Sequence, residues 1–205
     1  MILVTGAAGF IGSKIAQKLN DLNYETLTID NLSTGFRNNI PRDTIFIEGN
    51  CGEKKTIDKL NSYPIKGIIH VAGQSSGEVS FEDPEYDLVS NTLSTLHLLN
   101  FALKMNIKNF VFASTMSVYG DKIDLPVSED MLTIPKSFYA CGKLASENYL
   151  RIYSELGINT TSLRLFNVYG PGQNMKNLKQ GMLSIFLAQA IEKDKIIVKG
   201  SGKRF

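Results

Sequence analysis

The 205-residue sequence lacks the features that mark membrane, secreted or nucleic-acid-binding chains. No apolar run approaches the roughly 18 residues needed to cross a bilayer, and the apolar stretch at Met1 begins as a strand without a basic leader. The 22 basic residues are scattered and the net charge is only +2, so there is no nucleic-acid footprint. We therefore expect a cytoplasmic protein, with neither a membrane nor a nucleic acid among its partners.

Cysteine and histidine are scarce, and neither is spaced for metal binding. Cys51 and Cys141 are the only cysteines, and they form no CxxC or metal-ligand pattern. Free thiols in a reducing compartment are expected, with no disulfide and no metal. His70 falls in an apolar strand pattern and His97 in an apolar helix pattern, which favours structural over catalytic roles.

Strand-length apolar runs alternate with helical patterns along the chain. Hydrophobic residues make up 43% of the sequence, enough for one compact domain or a domain with the start of a second. The β-α order predicts an α/β fold, a Rossmann-type doubly wound parallel sheet with helices on both faces. The predicted strands are residues 2–5, 26–30, 44–49, 67–73, 109–114 and 159–166.

Helix-end residues and one change in the hydrophobic pattern mark further boundaries along the chain. Pro84 is placed to open a helix that runs through Leu103, and Gly157 follows a helix that begins near Ser137. After Gly172 the pattern changes to an amphipathic helix at 178–193 and a short last strand. We predict a main domain over 1–172 and, over 173–205, the start of a second region that is largely absent.

A glycine-rich turn follows the first predicted strand. Gly6, Gly9 and Gly12 stand between a strand and an amphipathic helix, where glycine lets the backbone approach a pyrophosphate and the helix start attracts its charge. Asp30 ends the second strand, in position to accept hydrogen bonds from ribose hydroxyls. Its charge favours NAD over NADP, although Arg37 keeps NADP as an alternative. Glycines that serve only tight packing are the other interpretation.

Tyr139 and Lys143 stand four residues apart at the start of a predicted helix, with Gly142 just before the lysine. Such residues share a helix face, so the ammonium is placed to lower the pKa of the phenol, normally about 10. The glycine allows close approach of a strand, a second helix or a cofactor. A surface aromatic beside a solvated amine is the alternative. Ser114 and Thr115 end a predicted strand, where parallel sheets bind ligands, and this context favours an acid/base pair.

Seven segments resemble, in order, the extended short-chain dehydrogenase/reductase family, and within it the NAD-dependent sugar-nucleotide epimerase/dehydratase group. The resemblance covers essentially the whole chain. It implies NAD as cofactor, a UDP-sugar as substrate and a homodimer packed through helices 84–105 and 137–157. The segments are TGAAGFIG, IDNLSTG, HVAG, SNTLSTLHLL, FASTMSVYG, YACGK and LRLFNVYGPGQ.

The resemblance also implies roles for particular residues. Tyr139 is expected to act as the acid/base, and Lys143 to support it and bind the nicotinamide ribose. Thr115 is expected to bridge Tyr139 and the substrate, with Ser114 as the alternative, and Asn167 to approach the substrate diphosphate. The expected NAD contacts are Gly6, Gly9, Phe10, Ile11, Gly12, Asp30, Asn31, Ser33, Gly35, Asn50, Cys51, Val71, Ala72, Gly73, Gln74, Asn91 and Lys143.

The residues after Thr115 bear on the type of reaction. Dehydratases and decarboxylases of the family usually carry an acidic residue there, whereas Met116 and Ser117 have no group that exchanges protons near neutral pH. The IDNLSTG segment also resembles the loop of UDP-hexose 4-epimerases. The expected reaction is therefore epimerisation of a UDP-hexose at C4 through a transient 4-keto sugar, with NAD carrying the hydride.

Other functions stay open at this point. Asn50 and Cys51 stand where the family has an acidic residue that contacts adenine, and Ser75 stands where the best-studied galactose epimerases have a lysine. Family members continue past KGSGKRF with an arginine-aspartate-aromatic motif and a small substrate-binding domain. The alternatives are a dehydratase or reductase of the family, a dehydrogenase that uses free NAD, and a non-catalytic NAD-binding module.

Overall fold

The computed structural model describes residues 1–121, 126–175 and 181–198. Its strands are β1 (Ile2–Thr5), β2 (Thr26–Asp30), β3 (Ile45–Glu48), β4 (Gly67–His70), β5 (Asn109–Thr115) and β6 (Asn159–Leu165). They form a six-stranded parallel sheet in the order β3-β2-β1-β4-β5-β6. The predicted Rossmann-type doubly wound sheet is confirmed, and all six predicted strands are present.

Helices connect the strands. They are α1 (Phe10–Asp21), α2 (Lys54–Asp58), α3 (Gly77–Glu82), α4 (Pro84–Asp87), α5 (Ser94–Lys104), α6 (Phe138–Glu155) and α7 (Met182–Lys193). In the described ranges, 3-10 segments lie at Arg37–Asn39, Lys59–Ser62 and Met116–Tyr119, and a π-helical segment, Leu88–Leu93, joins α4 to α5. The helix predicted from Pro84 is thus three consecutive segments, and α3 was not predicted.

Local chemistry fixes the helix ends around the sheet edge. The Asp83 side chain caps α4 by accepting a backbone N–H three residues on at 2.9 Å, and Pro84 occupies the first turn. Ser137 caps α6 in the same way at 3.1 Å. Gly157 follows α6 with φ 95°, in the left-handed region that favours glycine. The ends predicted at Pro84 and Gly157 are therefore confirmed.

The inner strands are buried, as their near-continuous apolar sequences predict. Every residue of β2 is buried, and Leu3, Phe110 and Phe112 are fully enclosed. β1 lies between β2 and β4, so the strand order reverses at this point. Ligands of open α/β sheets bind outside the carboxyl ends of the strands at such a reversal. The candidate site is therefore the edge where β1, β2, β4 and β5 end.

The chain divides into two compact units, Met1–Phe166 and Asn167–Phe205. The second unit contains α7, at whose start Ser184 Oγ donates to the Gly181 carbonyl oxygen at 2.8 Å. The first residues predicted for this helix, and the end of the predicted last strand, lie outside the described residues. The described part of that strand, residues 196–198, does not form a strand, so this prediction is wrong there. The boundary predicted at residue 172 stays a prediction. In the part of the chain that the structure describes, no helix is long and apolar enough to span a membrane.

Candidate active site

The turn after β1 packs so closely against its neighbours that only glycine fits at positions 6 and 12. Gly6 has φ 70°, and a methyl group built on it would lie 2.8 Å from the Ala72 nitrogen. A methyl group on Gly12 would lie 2.1 Å from the Gly6 carbonyl oxygen, because the first turn of α1 packs directly on this turn. The glycines therefore bring the ends of β1 and β4 and the start of α1 together.

The start of α1 has the properties of an anion site. Gly9 is the N-cap residue, no side chain caps the helix, and its first turn holds no acidic residue. The first N–H groups of a helix have no intrahelical acceptor, and the helix dipole adds positive potential there. Phe10, Ile11 and Gly12 supply these N–H groups. The turn therefore fits a phosphate group of the kind NAD carries.

Asp30 links the second strand to this turn. It is 8% exposed; its Oδ2 accepts from the Ala8 N–H at 2.9 Å and its Oδ1 from the Leu32 N–H at 2.8 Å. Each carboxylate oxygen keeps a further lone-pair direction for a ribose hydroxyl. Arg37, which could have favoured NADP, stacks on the Phe46 ring at 3.9 Å. The arrangement thus fits an unphosphorylated ribose.

The loop after Asp30 packs against the glycine turn. Asn31 Oδ1 accepts from the N–H of Ser33 at 3.1 Å and from its hydroxyl at 2.8 Å. Gly35 is so close to Ala8 that a methyl group on it would lie 2.7 Å from the Ala8 carbonyl carbon. The loop therefore forms one side of the same crevice.

Two of the predicted NAD contacts, Asn50 and Cys51, lie just after the end of β3. Asn50 Oδ1 accepts from the Gly52 N–H at 2.9 Å. Cys51 is 4% exposed, and burial, helped by the negative charge of Asp30, raises the pKa of its thiol to about 12. The thiol is therefore protonated at neutral pH and is unsuited to act as a nucleophile.

The segment after β4, Val71–Gln74, is held against β1. Thr5 Oγ1 accepts from the N–H groups of Val71 and Ala72, each at 3.1 Å, and lies 2.7 Å from His70 Nδ1. His70 is fully buried, and burial lowers the pKa of its imidazole to about 3. It is thus a neutral, hydrogen-bonded core residue, which agrees with the structural role expected from the sequence.

Tyr139 and Lys143 are both buried on the first turns of α6, at 9% and 4% exposure. Lys143 Nζ donates to the Ala113 carbonyl oxygen at 3.0 Å and lies 4.7 Å from the centre of the Phe112 ring and 5.8 Å from that of Tyr139. The alternative of a surface tyrosine beside a solvated amine does not describe this pair. Burial lowers the pKa of Lys143 to about 8, although the charge of Asp87 acts in the opposite direction.

The pKa of Tyr139 is raised in this arrangement. Burial is the main cause; the Thr115 hydroxyl lowers the pKa, and the charge of Asp87 raises it. The phenol is therefore protonated in the fold alone. The lysine at this spacing does not overcome the effect of burial by itself.

The structure separates the two hydroxyl candidates at the end of β5. The Thr115 hydroxyl lowers the pKa of Tyr139, and its Oγ1 accepts from the Ser117 N–H at 3.2 Å. Ser114 points to the other face of the strand, where its hydroxyl donates to Glu147. Thr115 is therefore the hydroxyl beside the tyrosine.

Glu147 belongs to a polar network that the sequence did not indicate. Arg164 of β6 donates to both of its carboxylate oxygens, from Nε at 3.1 and 3.2 Å and from Nη2 at 2.8 Å. Arg164 Nη1 also donates to Tyr119 Oη at 2.8 Å. Glu147 lies one turn after Lys143 on α6, so this network joins the helix to β5 and β6.

A second unpredicted network surrounds Asn91 in the π-helical segment. Asn91 Nδ2 donates to the Gln74 carbonyl oxygen at 2.9 Å and to Asp87 Oδ1 at 3.0 Å. Its Oδ1 is buried without a hydrogen-bond partner, and a methyl group on Gly73 would lie 2.3 Å from this oxygen and 3.5 Å from Lys143 Nζ. This orphaned acceptor next to the lysine is left for an ordered water or a ligand.

The element that packs closely against Gly142 is a helical segment, and neither a strand nor a cofactor. Thr92 Oγ1 donates to the Gly142 carbonyl oxygen at 3.2 Å, and a methyl group on the glycine would lie 2.8 Å from that hydroxyl. The missing side chain lets the π-helical segment pack closely on α6. Of the remaining predicted residues, Asn167 begins the second unit, so its contribution to the site stays a prediction. The described residues hold no group of three or more metal-binding side chains.

Comparison with known proteins agrees with this geometry. The profile of the NAD dependent epimerase/dehydratase family matches residues 2–204. The proposed UDP-glucose 4-epimerase of Methanocaldococcus jannaschii is 39% identical over 206 residues, which cover 100% of this chain and 67% of that protein.

Solved structures give the same result for the fold. The UDP-glucose 4-epimerase of Thermotoga maritima with UDP-glucose superposes with a TM-score of 0.94 at 32% identity, over 98% of this chain and 66% of that one. The Thermus thermophilus UDP-glucose 4-epimerase in complex with NAD gives a TM-score of 0.85 at 36% identity, over 90% and 60%. The chain thus spans about two thirds of these proteins.

Proposed function

Because the chain belongs to the NAD dependent epimerase/dehydratase family, we propose that it epimerises a nucleotide sugar, a UDP-hexose at C4, with NAD as its cofactor. The observation that carries the proposal is the pair Tyr139 and Thr115, which are both buried at the carboxyl edge of the sheet and interact there. Lys143 lies beside them. The relatives that act on UDP-glucose support the choice of substrate.

The cofactor fits the crevice described above. Its pyrophosphate would take the N–H groups at the start of α1, its adenosine ribose would take Asp30, and the nicotinamide ribose would take Lys143. Asn31, Ser33 and Gly35 would line the adenosine side of the crevice. When bound, NAD accepts a hydride from the sugar carbon, returns it to the opposite face and adds the positive charge of its ring to the site.

The chain's own residues would manage the proton. Tyr139 would act as its phenolate: Oη takes the proton of the C4 hydroxyl as the C–O bond becomes a carbonyl, and gives it back when the alcohol forms again. Thr115 orients the phenol, and the Lys143 ammonium favours the phenolate when it forms. Because burial raises the pKa of Tyr139, this step depends on the positive charges around the phenol.

The residues after Thr115 support epimerisation over dehydration. Loss of water from the sugar needs a second acid or base beside the substrate. Met116 and Ser117 occupy the positions after Thr115, and Ser117 Oγ lies 3.2 Å from Thr115 Oγ1. Neither side chain can serve as that acid or base near neutral pH.

The decisive experiment is a product assay. Because the chain spans 67% of the Methanocaldococcus relative, the assay would use the chain and a fusion that adds the C-terminal remainder of that relative. Each is incubated with UDP-glucose, UDP-N-acetylglucosamine and UDP-glucuronate, and NMR identifies any sugar inverted at C4. We expect inversion of at least one. A Tyr139→Phe variant should lose roughly 10²- to 10⁴-fold in rate. Absence of inversion in both proteins, or full activity of that variant, would contradict the proposal.

The same samples separate epimerisation from the rival functions. An epimerase recycles its cofactor, so NAD should stay with the purified protein and no net NADH should form. A dehydrogenase that uses free NAD would accumulate NADH in proportion to the product. A non-catalytic binding module would retain NAD and change no sugar.

We also propose a homodimer, packed through α5 and α6. Both helices carry apolar side chains at the surface, with Leu103 at 41% and Ile152 at 46% exposure. Exposed apolar groups on neighbouring helices suit helix-to-helix packing between two copies. Ile152→Glu should convert the dimer to a monomer in analytical ultracentrifugation, whereas Leu22→Glu, at an exposed apolar residue beside α1, should not. A monomeric parent protein would refute the proposal.

A further inference from the structure

Asp87 is an ionisable residue in a place where such residues are rare. It is the last residue of α4 and only 1% exposed. Aspartate is almost never fully buried unless it is paired with another polar or charged group. The groups around Asp87 must therefore stabilise its buried side chain.

Two side-chain amides partner this carboxylate. Asp87 Oδ1 accepts from Gln74 Nε2 at 2.9 Å and from Asn91 Nδ2 at 3.0 Å. An amide nitrogen donates and cannot accept, so neither bond needs a proton on the carboxyl group. The pKa of Asp87 is raised, mainly by burial, and these two bonds and the charge of Lys143 offset part of that effect. The two donors nevertheless provide hydrogen bonds that the ionised form can accept.

The second carboxylate oxygen faces α6. A methyl group on Gly142 would lie 3.6 Å from Asp87 Oδ2. The glycine therefore leaves room for the carboxylate to lie against the turn of the helix that carries Lys143. This contact gives a second reason for a glycine just before the lysine.

Several of the groups around Lys143 carry no charge. Nζ donates to the Ala113 carbonyl oxygen of β5 and lies over the Phe112 ring. His70 of β4 is neutral, and Tyr139 is a protonated phenol. Asn91 contributes a neutral amide oxygen near Nζ. Glu147, one turn further along α6, is a carboxylate whose charge is compensated by Arg164, so the negative charge that acts on Lys143 is that of Asp87.

We propose that Asp87 is a positioning residue, whose buried negative charge keeps Lys143 protonated and so sets the pH range in which Lys143 and Tyr139 work as a pair. The proposal rests on the proposed function for the importance of that pair. The electrostatic relationship itself needs no substrate. Burial lowers the pKa of Lys143 to about 8 even with Asp87 present, so loss of the carboxylate would leave the amine neutral at lower pH.

The test is a titration of Lys143 by NMR in the absence of any sugar. The ¹³Cε resonance of Lys143, assigned by its loss in Lys143→Arg, is followed against pH in the parent chain and in Asp87→Asn. Asparagine keeps an oxygen for the two amide donors and removes the charge. The midpoint should fall by about one to three pH units, the usual effect of an adjacent opposite charge.

The matched control is Glu85→Gln. Glu85 belongs to the same short helix and carries the same charge, but its side chain is exposed. This variant should leave the midpoint within a few tenths of a unit, because solvent screens exposed charges. Asp87→Glu should restore most of the shift. An unchanged midpoint in Asp87→Asn overturns the proposal.

The parent chain provides a second test that does not depend on a variant that folds. The carboxyl carbon of Asp87 should have the chemical shift of an ionised group throughout the pH range in which Lys143 titrates. A neutral carboxyl group in that range also overturns the proposal. Neither titration uses a UDP-sugar, so a negative product assay would refute the proposed function and leave this relationship standing.

Discussion

Lys143 Nζ donates a hydrogen bond to the carbonyl oxygen of Ala113 at 3.0 Å, which joins the start of α6 to the strand that carries Thr115. The bond makes the position of the ammonium depend on the sheet as well as on its own helix. Tyr139 and Thr115 belong to the same two elements. The geometry of the proposed acid/base pair is therefore set where α6 and β5 meet.

The two hydroxyls at the end of β5 should respond differently to removal. Thr115→Val deletes the hydroxyl that lowers the pKa of Tyr139, so this pKa should rise further and turnover should fall roughly 10²-fold or more. Ser114→Ala leaves Glu147 with one donor fewer and should cost about 1–3 kcal/mol of unfolding free energy with a smaller effect on turnover. Chemical denaturation and the product assay measure both. The opposite ranking would show that Ser114 is the hydroxyl that serves Tyr139.

The Glu147–Arg164 pair should contribute strongly to stability because it is largely buried. The side chains are 11% and 21% exposed. Glu147→Gln or Arg164→Met alone should lower the unfolding free energy by roughly 2–4 kcal/mol, since each leaves a partner uncompensated. A double-mutant cycle should give a coupling of about 1–3 kcal/mol.

The exposed pair Arg151–Glu155 is the control for this cycle. Its side chains are 68% and 71% exposed and lie 3.6 Å apart on the same helix. Its coupling should stay below about 0.5 kcal/mol. Equal coupling energies for the two pairs would contradict the importance of burial.

The glycine turn makes a steric prediction. Gly12→Ala places a methyl group 2.1 Å from the Gly6 carbonyl oxygen, so the turn must shift. We expect a loss of about 1–3 kcal/mol in unfolding free energy, as for other overpacked sites. Isothermal titration calorimetry should also show weaker NAD binding. Gly77→Ala is the control, because its methyl group would approach no atom closer than 3.6 Å. Normal NAD affinity in Gly12→Ala would argue against this turn as the phosphate site.

The fold could be predicted from the sequence because the strands are short, apolar and separated by helical patterns. Burial on both faces removes polar residues from strands such as β2, and this leaves a pattern that periodicity detects. The glycine turn and the Tyr139–Lys143 spacing are local in sequence, so they could be found as well. Helix α3 is only six residues long and mostly polar, and the π-helical segment keeps apolar spacing close to that of an α-helix. Periodicity alone therefore missed both.

The unpredicted site residues depend on contacts between distant parts of the chain. Asp83, Glu85 and Asp87 look alike in sequence, and only packing against α6 buries the third. Glu147 and Arg164 are 17 residues apart and meet because β6 pairs with β5 beside α6. The choice between Ser114 and Thr115 likewise depended on which side chain of α6 each hydroxyl meets. Sequence spacing carries no information on such pairings.

The burial of Lys143 predicts a pH dependence of stability. Its pKa is 10.5 as a reference and about 8 in the fold. Between these values the unfolded chain binds more protons than the folded chain, so the unfolding free energy should rise with pH through this window. At about 1.4 kcal/mol for each pH unit, the rise attributable to Lys143 is about 3 kcal/mol.

Other groups titrate here too, so the measured quantity is the difference between the parent chain and Lys143→Met. Methionine fills a similar volume without charge, and the variant should lack this part of the rise. Urea denaturation at closely spaced pH values across the window gives both curves. Parallel curves would mean that Lys143 is hydrated in solution and that its burial does not perturb its ionisation.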